Sequence, residues 1–117
     1  MFIFRIKMVI DESLEGVFLN WILKTYVPDV INTGHFKDYN FINCTSGGPT
    51  ASRNYELDCI TKSKDELNAF KAEHSEKILK QFSEKFPGEF NRISAGEYED
   101  LTESLSEKPA GESFGGQ

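Results

Sequence analysis

"FIFRIKMVIDESLEGVFLNWI", residues 2–22, changes its hydrophobic period midway, and that change decides the fold. Over the first nine residues the period is two. Phe2, Phe4, Ile6, Met8 and Ile10 fall on one side and Ile3, Arg5, Lys7 and Val9 on the other, which predicts a strand with one fully buried face. "DES" then offers capping oxygens. Leu14, Val17, Phe18, Trp21 and Ile22 follow at helical spacing, so a strand leads directly into an amphipathic helix. Pro28 cannot donate to the preceding turn and predicts a kink or restart, and Gly34 suits the position just past the helix C-terminus.

Working outward, residues 35–45 are rich in aromatic and branched side chains. Ser52–Thr61 alternates more cleanly, with Tyr55, Leu57 and Cys59 opposite Asn54, Glu56 and Asp58. "SGGPTA", residues 46–51, has the chemistry of a hairpin turn between these two strands. Ser63 and Glu66 form a capping box, ahead of a stripe of Leu67, Phe70, His74, Ile78 and Phe82 that should stop near Phe86, before Pro87 and Gly88. A last strand is expected within residues 90–101, where Gly96 and several charges leave no register visible.

This order is βαββαβ, the split arrangement of ferredoxin-like α+β domains: a four-stranded antiparallel sheet with two helices on one face. Residues 1–101 are expected to form that domain, and residues 102–117 a disordered acidic tail rich in Gly and Ser. The second sheet face would carry Ile3 and Val9 and, depending on register, Tyr39 and Phe41. That is more apolar surface than a solvated sheet normally shows, so two sheets are expected to pack face to face in a homodimer, as in a dimeric α+β barrel, or to be covered by a ligand or another protein.

A chain of 117 residues has room for one core. Residues 1–96 carry a balance of −1 and residues 97–117 one of −5, so the acidity belongs to the tail. A nearly neutral body has no electrostatic footprint for phosphate backbones, and no nucleic-acid partner is expected. The two cysteines, Cys44 and Cys59, are too few for an iron–sulfur or zinc–thiolate site by themselves and read as buried, inert thiols. Arg5 and Lys7 interrupt the apolar N-terminus, which argues against a signal peptide. No stretch would cross a membrane, and a cytoplasmic location is expected.

Chemistry is sparse. "EGVFLNW", residues 15–21, is similar to the glycine-and-phenylalanine segment with which acylphosphatases enter their first helix, yet Asn20 stands where the phosphate-holding arginine belongs, and Asp11, Glu12 and Glu15 would repel an anion. Gly16 therefore reads as a tolerated helix residue. His74 sits on the apolar stripe of the second helix, where a satisfied structural histidine outweighs a general base. No carboxylate lies at helical spacing to assist it, and the adjacent Glu73 should point elsewhere. His35 opens the second strand, where an exposed residue is the plainer reading and a ligand contact the sharper one. Trp21 and Tyr26 would line a pocket if one exists, although aromatics on an amphipathic helix are usually core. Trp21, Tyr26, His35 and His74 are thus the candidate ligand-binding residues. No catalytic group, metal spacing or cofactor motif stands out.

Taken together, "IDES", Trp21, "VPDVINTGHF" with Pro28, Thr33, Gly34 and Phe36, and "AEHSEKIL" with His74 resemble a bacterial family known only as a domain of unknown function, number forty-two eighty-six. The resemblance runs from the first strand through the second helix. It implies a ferredoxin-like domain similar to the dimeric α+β barrels, whose members include small monooxygenases and ligand-binding or stress-response proteins. It brings no established activity, because one fold hosts many functions. The expectation is a barrel pocket for a small apolar or aromatic molecule, suggested by the abundance of aromatic residues. The alternative is a regulatory or interaction module that uses the free sheet face or the acidic tail.

Overall fold

A computed structural model of the chain describes residues 1–44 and 52–102. The hairpin turn expected at 46–51, and the expected tail from residue 103 onward, lie outside the described residues. Strand β1 (Phe2–Asp11) leads through a 3-10 turn into α1 (Glu15–Trp21) and α2 (Val27–Ile31). Strands β2 (Asp38–Cys44) and β3 (Ser52–Thr61) follow, then α3 (Lys64–Phe70), α4 (Glu76–Lys85) and β4 (Arg92–Glu99). All four strands form one antiparallel sheet in the order β2-β3-β1-β4. The architecture is α+β: β3 separates β1 from β2, which is the split pattern that the element order predicts. Among the described residues, no helix is long and apolar enough to cross a membrane.

Each helical pair is one rod joined by a π turn, Ile22–Tyr26 in the first and Lys71–Ser75 in the second. Pro28 explains the first. Its ring would strike a carbonyl one turn earlier in a regular α-helix, and widening the turn just ahead relieves that clash. In the second, the Ser75 hydroxyl donates to the Lys71 carbonyl at 2.8 Å, a back-bond that bends helices. The rods are capped as their sequence suggests. Asp11 Oδ1 accepts from the Ser13 amide at 2.9 Å, and Ser63 Oγ accepts from the Glu66 amide at 3.2 Å. Gly34, with φ +83°, ends the first rod in the left-handed region.

Phe4, Ile6, Met8 and Ile10 on β1 and Tyr55, Leu57 and Cys59 on β3 turn inward against both rods and are almost fully buried. Phe18 is the hub of the packing, with ring centroids 5.2 Å from Tyr55, 5.7 Å from Phe86 and 6.2 Å from Phe82. A second cluster surrounds Phe70, 4.6 Å from Phe36 and 5.2 Å from Phe4. Among the described residues these aromatics pack against one another between sheet and helices, so the core itself accounts for much of their abundance.

The register of β2 corrects the composition of the outer face. Tyr39 lies opposite Cys59 and Phe41 opposite Leu57, so both turn toward the helices, and Phe41 stacks on Tyr55 at 5.4 Å. The outer face keeps Ile3, Val9, Ile42, Ile60 and Tyr98, but its centre is charged. Arg5 donates to both carboxylate oxygens of Asp58, at 2.7 and 3.0 Å, lies 3.4 Å from Glu56, and sits under the Tyr98 ring at 4.9 Å. Cys44 faces outward opposite Asn54 and Cys59 inward, so the two thiols do not meet. β4 takes its register from β1, Ile3 opposite Tyr98 and Lys7 opposite Ser94.

Candidate functional site

The segment that leaves the first rod carries His35 to the side of the second. Gly34 donates its amide to the Ile31 carbonyl at 3.0 Å, and Lys37 donates to the Ile60 carbonyl at 2.9 Å, which fixes both ends of a short span. Phe36 is buried within it. His35 is thereby pressed against Phe70, and its ring centroid lies 5.5 Å from that of His74. The two histidines that looked unrelated in sequence are neighbours.

Two carboxylates join them. Glu66 Oε1 lies 2.7 Å from His35 Nδ1, and Glu73 Oε1 lies 3.4 Å from His35 Nε2 and 3.5 Å from His74 Nε2. The expectation that Glu73 points away from His74 is therefore wrong, and the π turn is the reason. A wider turn spreads more residues over one revolution, so sequence neighbours diverge by a smaller angle than in an α-helix. Glu66 departs from its capping-box role as well. The Ser63 amide donates instead to Thr61 Oγ1 at 3.2 Å, and the Glu66 carboxylate is left for His35. That hydrogen bond is the main reason why the His35 imidazolium is favoured beyond the usual histidine range. Partial burial opposes the rise, and Glu73 adds to it.

His74 also borders a groove of about 380 Å³ between the rods, lined with Asp29, Asn32, Thr33, Lys77 and Gln81. A second groove of about 300 Å³ shares Asp29 and Gln81 with the first and reaches Trp21. Both have mixed polar and apolar walls, with Ile78 in the first and Trp21 in the second, and both open to the surface. Trp21 packs on Tyr26 at 4.6 Å and on Phe86 at 5.4 Å, with one edge left to this second groove. Tyr26 is a core residue whose hydroxyl donates to the Ile78 carbonyl at 2.8 Å, and burial pushes its pKa far up. The four residues named from sequence thus form two pairs, and His74 and Trp21 border different grooves. Glu66 and Glu73 were assigned other roles and not counted as candidates, although their seven-residue spacing, two helical turns, places them on one side of the rod.

The other candidates resolve as structural. Around "EGVFLNW", Arg53 lies 3.0 Å from Glu12 and 3.6 Å from Glu15, and Glu15 accepts from the Tyr55 hydroxyl. Protein carboxylates occupy that turn, which is no phosphate cradle. Burial, reinforced by Asp58, pushes the Cys59 thiol up to about 12, and burial with Glu56 raises that of Cys44, so both stay protonated and poorly nucleophilic.

The chain belongs to the family described as a domain of unknown function (DUF4286), whose profile matches residues 1–95. That span runs from β1 into the middle of β4 and contains His35, Glu66, Glu73 and His74. No curated protein matches the chain.

Proposed function

We propose that the protein is a self-pairing interaction module in which the uncovered sheet face docks a second copy. The observation that carries this reading is the separation of charge across that face. The bases Arg5, Lys7 and Arg92 stand on β1 and β4, and the acids Asp38, Glu56 and Asp58 on β2 and β3. A two-fold axis running along the strands, between two such faces, sets β1 against the partner's β3 and β4 against its β2. Lys7 then meets the partner's Glu56 near the axis, and Ile3 meets the partner's Ile60. The face is self-complementary in charge and apolar where its long strands cross.

Size is adequate. Four strands at about 4.8 Å spacing and eight residues at about 3.3 Å span roughly 500 Å² per copy, or roughly 1,000 Å² in total, near the threshold for a specific interface. The packing lends no support to a small apolar molecule held between sheet and helices, because among the described residues the aromatic side chains pack against one another there. Light scattering at micromolar concentration is expected to give twice 13.3 kDa. Lys7→Glu should shift the protein toward monomer, and adding Glu56→Lys should restore the dimer. A lone 13.3 kDa particle for the parent chain would sink the reading.

A further inference from the structure

We propose that His35, Glu73 and His74 bind a divalent transition-metal ion such as zinc, with Glu66 orienting His35 from behind. The three residues offer one donor atom each, all within 4.8 Å of one another. Two edges of that triangle, His35 Nε2 to Glu73 Oε1 at 3.4 Å and His74 Nε2 to Glu73 Oε1 at 3.5 Å, are already the length a tetrahedral ion requires. An ion about 2.0–2.1 Å from each ligand separates neighbouring ligand atoms by roughly 3.4 Å. The remaining edge, between the histidines, is adjusted by rotating the partly exposed His74 ring.

Hydrogen bonding supplies an independent argument. Glu66 has only acceptor oxygens, so its contact to Nδ1 at 2.7 Å holds the proton of the neutral ring on that nitrogen. Nε2 is left bare, and it faces a Glu73 oxygen that is also an acceptor. In that neutral, ligating form the Nε2 lone pair and the Glu73 oxygen lie 3.4 Å apart and can be shared by one ion, which takes the place of the second proton that an imidazolium carries there. A carboxylate behind the far nitrogen of a histidine is also the recurrent support of metal-bound imidazole, because it fixes the ring and raises its basicity. The backbone agrees: the π turn that brings Glu73 and His74 to one side is a feature found disproportionately at functional sites.

Two imidazoles and one carboxylate suit zinc, and three protein donors leave a fourth position for water or an exogenous ligand. The negative charge of Glu66 and Glu73 balances a dication. This site lies on the helix side of the sheet, so it does not depend on pairing of the outer faces.

The test is calorimetric titration of the full chain with Zn²⁺, in a Cys44→Ser background that removes the partly exposed thiol, together with Co²⁺ absorption as a report of four-coordination. The expected result is one ion per chain and an intense visible Co²⁺ band. His35→Ala and His74→Ala should abolish both. Glu73→Gln, at an exposed side chain that leaves the fold intact, should weaken affinity at least tenfold, and Glu66→Gln should weaken it about 10- to 100-fold. The proposal is overturned if the parent takes up no stoichiometric ion at 100-micromolar Zn²⁺ (about 10⁻⁴ M, weak for a three-ligand site), or if folded Glu73→Gln binds as the parent does.

Discussion

The Tyr26 hydroxyl donates to the Ile78 carbonyl across the two rods at 2.8 Å, both groups being buried. It is a polar tie between the two rods beside an apolar seam formed by Trp21, Phe82 and Phe86. The carbonyl lies inside α4, where the helical ladder also uses it, so removing the hydroxyl does not orphan it. Tyr26→Phe is therefore expected to lower stability by about 1 kcal/mol, the net worth of one hydrogen bond. Urea unfolding of the two proteins measures the difference.

Breaking the outer-face pair should cost more. Asp58 is 5 % exposed and Arg5 answers it with two hydrogen bonds, but the Arg5 side chain keeps partial access to water. The loss in Asp58→Ala should fall between that of a surface pair and that of a buried one, about 2 kcal/mol. Replacing both, Arg5→Met with Asp58→Leu, should recover most of it, since neither member of the doubly hydrogen-bonded pair is then left alone and Glu56 keeps access to water. A double-mutant cycle in urea separates the coupling from the single losses.

How much of this was legible beforehand follows from which interactions are local. The switch of period after Ile10, the Ser63 cap and the stop at Gly34 are written within a few residues of where they act, and the structure reproduces them. The face that Tyr39 and Phe41 occupy was not, because a slip of one residue in β2 flips every side chain, and its register depends on pairing with β3. β4 drew its register from β1 in the same way, against a sequence interrupted by Gly96. At the candidate site the histidines were visible singly. Their meeting depends on the span that carries His35 to the second rod, and Glu73 joins them through the π turn; both are settled by packing between segments distant in sequence.

Acid should loosen the molecule at two named places. Hydrogen bonding from Lys71 holds the Glu97 carboxyl below the usual range, with Lys64 assisting, and the Ser13 amide and hydroxyl do the same for Asp11. For a depressed carboxyl, the stabilisation is fully present above its unfolded value, about 4. It is lost as pH falls through the lower folded value. The contribution of these two carboxyls to the thermal midpoint should therefore be constant near pH 6 and above, and fall away below pH about 4. Glu97→Gln should start from a lower midpoint near neutrality and lose less on acidification. Parallel curves for the two proteins would contradict this.

Gly16 and Gly34 offer opposite outcomes from the same substitution, and together they test the reading of "EGVFLNW". Gly16 lies in α1 with no atom within 4 Å of where a Cβ would stand, and it needs no left-handed backbone. If its role were to let a phosphate approach, alanine would be damaging. As a mere helix residue, it should give way to alanine with a gain of about 0.5–1 kcal/mol, from higher helix propensity and a less flexible unfolded chain. Gly34 also has open space around it, but its φ of +83° is a conformation that L side chains rarely adopt. Alanine there is expected to cost about 1 kcal/mol through backbone strain alone. It should also weaken the placement of His35, the next residue, against Glu66. Urea unfolding gives the two stabilities. The imidazole proton resonances of His35, followed in Gly34→Ala, report whether the link to Glu66 is lost with the turn.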